Sequence, residues 1–203
     1  MHCIYKYVRI QRIKNIDKYE INENQFTIGH KIGDGQFGVV SVGIAKNIYG
    51  PGDTKVAIKQ VKNAFDKDQL NTIIGELKIM SSLGSHLNLV NLVGACTSEC
   101  GNKIFVLLEY CSKGDLKKVL IENKKMFLGS IDKFSGYTDK QFNPTLLLNW
   151  SYQIAKGMEY LEKKMVMHGD LAARNILVTD DLTPKISDFG LSKYMHYEEG
   201  KYG

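Results

Sequence analysis

The feature that limits this chain most is a carboxylate on the apolar side of a helix. Asp66 reads as an N-cap, and apolar residues then recur at Leu70, Ile73, Ile74, Leu77 and Met80. That is the 3.6-residue period of a helix packed on a core. Glu76 falls three residues after Ile73 and four before Met80, so it shares the inward face. A carboxylate taken out of water needs a cation or donors facing it. Any fold for this chain must bring such a group against this helix. Lys59 fits. It ends the run Val56-Ala57-Ile58-Lys59, a short strand in which its head group is partly desolvated. The first tertiary constraint is therefore a strand-end lysine laid against a helix-borne glutamate. A core-edge ion pair with no further duty would satisfy it equally.

The rest of the chain divides around that pair. Residues 1 to about 25 are polar without a sustained period and read as an arm. Phe26, Ile28 and Ile32 lead into a glycine-rich turn, and Val39, Val40 and Val42 continue as a β-rich run. Leu89 to Ala95 and Ile104 to Glu109 are further strand candidates. Leu116 to about Glu122 starts a short helix, and residues 123 to 144 read as an inserted loop. A long amphipathic helix runs from about Thr145 to Lys163, with Trp150, Ile154, Met158 and Leu161 on one face. Short apolar runs follow at Ile176 to Val178 and Lys185 to Ile186. A β-rich half precedes a helical half, which predicts the α+β class.

Composition excludes rather than selects. A net charge of +5 and 43% hydrophobic residues are ordinary for a globular chain and give no argument for nucleic acid. No apolar run approaches the roughly 18 residues that span a bilayer, and no secretory leader is seen. Lys6, Arg9, Arg12, Lys14 and Lys18 make the arm basic. It reads as a solvated tail or as a segment beside an anionic membrane leaflet. Cys3, Cys96, Cys100 and Cys111 are irregularly spaced and are expected to be free thiols.

Three further stretches carry chemistry. Gly33-Asp34-Gly35-Gln36-Phe37-Gly38-Val39-Val40 lets backbone N–H groups approach phosphate oxygens. Alone it does not separate a phosphate-covering flap from a plain hairpin. His168-Gly169-Asp170-Leu171-Ala172-Ala173-Arg174-Asn175 spaces an aspartate and an asparagine five apart, so a short loop can present both to one site. Asp188-Phe189-Gly190 then offers a second carboxylate beside a glycine that lets the backbone turn.

In this order, these stretches resemble the eukaryotic protein kinase family, from about Phe26 to the last residue. The resemblance implies an α+β protein-kinase fold: N-lobe and hinge at 26–111, part of a helical C-lobe at 112–203, and an insert at about 123–144. It implies that Ile32, Gly33, Gly35, Gly38, Val40, Ala57, Lys59, Glu109, Cys111 and Leu177 bind ATP. Leu108 would guard the back pocket. Asn175 and Asp188 would bind Mg²⁺. Lys59 would be oriented by Glu76, and Asp170 would accept or orient the substrate hydroxyl. Met80, Leu92, His168 and Phe189 would form a buried stack that marks the assembled state. Ala172-Ala173-Arg174 resembles tyrosine kinases, with Arg174 aimed at the reacting hydroxyl. Leu108-Glu109-Tyr110-Cys111, Gly114-Asp115-Leu116 and Tyr152 to Met158 resemble receptor tyrosine kinases. Implied partners are ATP, proteins bearing tyrosine and phosphotyrosine-reading adaptors. The implied setting is the cytoplasmic face of the plasma membrane, on a membrane-tethered parent, with the arm as a juxtamembrane segment. Tyr194, Tyr197 and Tyr202 would lie in the activation loop, where a phosphate can pair with arginine. Tyr137 in the insert is an ordinary loop tyrosine or a docking phosphosite.

Two departures qualify this. Gly169 stands where the family usually has the arginine that clamps a phosphorylated activation loop, so weaker dependence on loop phosphorylation is expected. The chain also stops at Gly203, inside the expected activation loop. Alone it is expected to be poorly stable and a weak or inactive kinase. The competing reading is a nucleotide-binding or scaffolding pseudokinase. The intact Lys59, Glu76, Asp170, Asn175 and Asp188 argue against it.

Overall fold

A computed structural model describes residues 16–35, 38–62, 66–97, 103–127 and 142–195. Strands β1 (Phe26–Gly35), β2 (Gly38–Lys46), β3 (Asp53–Gln60), β4 (Leu92–Cys96) and β5 (Phe105–Glu109) form an antiparallel sheet ordered β1-β2-β3-β5-β4. Successive side chains of a strand point to opposite faces, and β5 follows this rule. Phe105 and Leu107 pack with Phe26, Val56, Ile58 and Val93. Val106 joins the core built on helix α1 (Lys67–Leu83), with Ile73, Leu77 and Met80. Asp66 caps α1 by accepting from the N–H groups of Asp68 and Gln69, satisfying donors that the first turn otherwise leaves open.

Part of the segment expected as an arm is seated on this sheet. Glu20 forms a parallel bridge with Ala95 of β4. The Ala95 N–H donates to Tyr19 O at 2.7 Å, and the Ile21 N–H donates to Ala95 O at 2.9 Å. The Glu20 carboxylate accepts from Thr97 N and Oγ1 at 2.9 and 2.7 Å. Ile16 and Ile21 are buried. The segment covers the exposed edge of β4, which would otherwise present unpaired backbone groups.

The second half holds β6 (Gly114–Asp115), α2 (Leu116–Glu122), α3 (Pro144–Lys163), β7 (Val166–Met167), β8 (Ile176–Val178), β9 (Pro184–Ile186) and β10 (Lys193–Tyr194). Asp115 caps α2, and Asn143 caps α3 ahead of a first-turn proline, as helix starts favour. β6, β8 and β9 form one small sheet, and β7 pairs with β10. Trp150 of α3 is buried and donates through Nε1 to Leu182 O at 2.7 Å. Helix α3 also fixes the α1–β4 connection. Tyr160 Oη donates to Leu83 O at 2.5 Å, and the Tyr160 ring stacks on His86. Asn88 Nδ2 donates to Gln153 Oε1 and Pro184 O. The outer side of α3 leaves Leu148 and Tyr152 exposed.

The architecture is the α+β arrangement expected. No helix among the described residues is long and apolar enough to cross a membrane. One expectation is corrected. Cys111 is a free, buried thiol, but Cys96 is disulfide-bonded. The expectation of free thiols rested on compartment, which cannot see which sulfurs the fold brings within reach.

Candidate active site

A cavity of about 520 Å³ lies between the five-stranded sheet and the small β6-β8-β9 sheet. Lys59 enters it from the end of β3, opposite Val40 of β2 and Val106 of β5. Its Nζ lies 2.6 Å from Glu76 Oε2 and 3.5 Å from Asp188 Oδ1. The Glu76 side chain is 2% exposed and that of Lys59 10%. Burial alone would lower the Lys59 pKa. The Glu76 and Asp188 carboxylates outweigh it and hold the ammonium above its ordinary value. The partner that the buried glutamate required is therefore present, and it touches a second carboxylate.

Asp188 adopts a left-handed backbone with φ 63°. This turn leaves its carboxylate part-exposed at the cavity, while Phe189, next in sequence, is 1% exposed. The Phe189 ring meets His168 edge-on at 5.3 Å, and Met80 and Leu92 are buried in the same core as Phe189. The four residues expected to stack are thus buried together. His168 Nδ1 accepts from the Asp170 N–H at 3.2 Å, so Nε2 carries the proton and donates to Ser187 O at 2.9 Å. That bond ties the Asp170 loop to the residue before Asp188.

Around Asp170 every carboxylate oxygen is engaged. Arg174 Nη2 donates to Oδ1 at 2.6 Å. Asn175 Nδ2 donates to Oδ2 at 2.9 Å and to Asp170 O at 2.8 Å. The Arg174 hydrogen bond, followed by that of Asn175, pulls the Asp170 carboxyl below its ordinary range. Because the amide nitrogen of Asn175 is committed to Asp170, its Oδ1 is the atom left to accept or ligate. Ser187 N and Oγ both donate to Asn175 O, at 2.8 and 2.9 Å. They draw the Asn175 turn toward Asp188.

The cavity walls are apolar where Ile32, Val40, Ala57 and Leu177 meet. Gly33 and Gly38 line its roof. At Gly38, φ is 142° and a Cβ would stand 2.3 Å from Gln60 O, so only glycine fits the roof there. Gly35 pairs with Gly38 at the tip of the hairpin. Asp34, between Gly33 and Gly35, is paired with Lys31 and Lys62, which pull its carboxyl to about 2. Leu108, Glu109 and Cys111 line the far side. Burial, reinforced by Glu109, pushes the Cys111 thiol up to about 12, so it is an inert wall group near neutrality. Arg174 and Asn175 line the cavity, and both hold the Asp170 carboxylate, which is not itself part of the lining.

Sequence reasoning missed the clamp behind Glu109. Lys185 Nζ lies 3.0 Å from Glu109 Oε1 and donates to Leu87 O at 2.7 Å. Asn91 Nδ2 donates to Glu109 Oε2 at 2.9 Å, and the Glu109 N–H donates to Asn91 O at 3.0 Å. Lys185 is 5% exposed. The logic that sought a partner for Glu76 would have found this one too, since Lys185 sits in the apolar run Pro184-Lys185-Ile186. Gly169 also has a local reason. Its φ is 85°, and a Cβ would lie 2.7 Å from Leu191 O. An arginine there would displace the chain after Asp188. Gln36, Phe37, Tyr137, Tyr197 and Tyr202 lie outside the described residues.

Residues 26–203 match the family model described as protein tyrosine and serine/threonine kinase. The chain is 34% identical over 217 residues to the tyrosine-protein kinase receptor torso of Bombyx mori, a match covering 92% of this chain and 26% of that protein. It is 35% identical over 185 residues to fibroblast growth factor receptor 1 of Xenopus laevis, covering 89% of this chain and 22% of the receptor. The receptor of the same name from Pleurodeles waltl gives 35% over 183 residues with the same coverage. The chain thus spans about a quarter of the length of these relatives.

Proposed function

Because this chain belongs to the protein tyrosine and serine/threonine kinase family, we propose that it moves the γ-phosphoryl of ATP to tyrosine hydroxyls of proteins. The observation that carries this reading is the closed Lys59–Glu76 pair reaching Asp188, beside an Asp170 held by Arg174 and Asn175. In phosphoryl transfer, catalysis is mostly positioning and charge neutralisation. Lys59, kept protonated, offsets phosphate charge. Asp170 orients the acceptor hydroxyl and takes its proton. Arg174 stands where the tyrosine oxygen and the phosphoryl meet. Val40, Ala57 and Leu177 sandwich the adenine. With the Glu109 N–H used by Asn91, its carbonyl is the group left for the adenine edge.

The donor set suits Mg²⁺. Asn175 Oδ1 and the Asp188 carboxylate would supply two oxygen ligands, the second on a part-exposed side chain. Mg²⁺ typically takes one or two protein oxygens and completes its shell with phosphates and water. When bound, the ions neutralise charge developing on the phosphates. A membrane-tethered parent is part of the proposal, in keeping with relatives named as receptors, and so is the reading of its phosphotyrosines by adaptors. A pseudokinase reading is disfavoured by the paired state of all five polar groups.

Thermal unfolding with ATP tests the binding half. At 100 times Kd, a nucleotide stabilises by about 2.7 kcal/mol. In a domain of this size that raises Tm by roughly 5–10 °C, and the rise is expected only with Mg²⁺ present. No shift would overturn the nucleotide reading. A shift without any peptide phosphorylation would leave a binding module.

Arg174→Ala tests the local electrostatics. The carboxyl of Asp170 is depressed in the folded protein, so its ionised form survives to lower pH and is lost only as pH falls through that depressed value. Removing Arg174 removes the largest cause. The acid limb of kcat/KM then moves to higher pH while the alkaline limb stays. An unmoved acid limb contradicts the assignment.

A further inference from the structure

Tyr194 was expected to lie in the activation loop. Its side chain is tied to helix α1. Its Oη lies 2.6 Å from Ser82 Oγ, in the last turn of α1. Ser82 Oγ donates its own proton to Ile79 O at 2.7 Å, which leaves Tyr194 to donate to Ser82, and the same Tyr194 Oη lies 3.5 Å from Lys78 O on the turn before. Lys78 Nζ stands 5.9 Å over the Tyr194 ring, within reach of a cation–π contact. Tyr194 belongs to β10, which pairs with β7 through Lys193↔Met167 and Tyr194↔Val166. Ser192 Oγ donates to His168 O at 2.8 Å, and Met195 N donates to Met165 O at 2.8 Å. The strand that carries Tyr194 is therefore fixed to the same loop that carries Asp170.

We infer that Tyr194 and Ser82 are positioning residues, a neutral latch that holds α1 with Glu76 against Lys59. The inference rests on the kinase reading above. Helix α1 is gripped at its C-terminal end by two tyrosines. Tyr160 from α3 holds Leu83 O, and Tyr194 from β10 holds Ser82 Oγ. Adjacent helical residues point about 100° apart. The buried apolar face of α1 already opposes rotation, and two grips at different azimuths add to that resistance at its C-terminal end. Such a rotation would swing Glu76, two helical turns earlier, away from Lys59. The latch works without phosphate, in keeping with Gly169 in place of a phosphate-clamping arginine. A phosphoryl group on Tyr194 Oη could not share the 2.6 Å gap to Ser82 Oγ. The latch and phosphorylation at that oxygen exclude each other in this arrangement.

The test uses Tyr194→Phe, which removes one oxygen and keeps the ring, together with Ser82→Ala and the double variant. A single hydrogen bond shifts an equilibrium by roughly fivefold. Amide hydrogen exchange in the last two turns of α1, measured without nucleotide, is expected to speed up about fivefold in either single variant. The double variant is expected to add little, since both remove the same bond. Ser82→Thr, which retains a hydroxyl, should restore the wild-type rate. Apparent ATP affinity should fall only as far as the closed fraction falls, and by no more than the roughly fivefold change in exchange, because only the closed fraction binds. Unchanged exchange, fully additive effects, or no rescue by Thr would overturn the latch. Failure of the wild type to bind ATP would instead sink the kinase reading while leaving the exchange result standing.

Discussion

Asp170→Asn is expected to lower kcat at least 100-fold while leaving the KM for ATP nearly unchanged. The geometry gives the reason. The two carboxylate oxygens of Asp170 face two donors, Arg174 at 2.6 Å and Asn175 at 2.9 Å. An asparagine has one oxygen and one NH₂, so one donor must then face another donor. The substitution removes the negative charge, while the Asn175 Nδ2 bond to the backbone O of residue 170 keeps Asn175 in place. Loss of a positioned proton acceptor alone typically costs 10²- to 10⁴-fold. Asp170 is not part of the cavity lining, so nucleotide binding should survive. Steady-state kinetics with a tyrosine peptide, read beside a thermal melt, settles the matter. Near-normal turnover of a folded variant would remove Asp170 from the chemistry.

Much of this site was legible because it rests on local rules. The 3.6 period placed Glu76 on the inward face of α1, and desolvation then demanded Lys59. The short spacing from Asp170 to Asn175 anticipated that one turn presents both, and a 3₁₀ turn at Ala173–Asn175 does so. What escaped depends on contacts between distant residues with no periodic signature. The docking of Ile16 to Ile21 on β4 uses backbone bonds, and these are blind to side-chain pattern. The Lys185–Glu109–Asn91 clamp joins three elements through single residues. Gly169 read as a missing arginine. The structure shows a glycine required by a positive φ and by the Leu191 carbonyl. Tyr194 carried a loop tyrosine's expectation because nothing in its neighbours announces Ser82, 112 residues away.

Lys59→Met should separate stability from chemistry. The substitution keeps roughly the volume and removes the cation, so Glu76 stays buried and unpaired at 2% side-chain exposure. Breaking a buried pair from one side typically costs about 3–5 kcal/mol, here roughly 6–20 °C in Tm at 2–4 °C per kcal/mol. Activity should fall at least 100-fold, in the range for losing one preorganised charge stabiliser. The double variant Lys59→Met, Glu76→Met removes both charges and the penalty together. It should recover most of the lost Tm, since an apolar pair of similar volume is often neutral or better, and it should remain inactive. The pH dependence follows from the raised Lys59 pKa. A raised folded-state pKa contributes stability that is complete below the ordinary lysine value and is lost as pH climbs through the folded value. The gap between wild type and Lys59→Met should thus hold from neutral to mildly alkaline conditions and close in strong alkali as Lys59 loses its proton. A double variant as unstable as the single one would mean that the cost lies in packing around Lys59 rather than in an orphaned Glu76. A double variant that regained activity would show that neither charge acts on the phosphates.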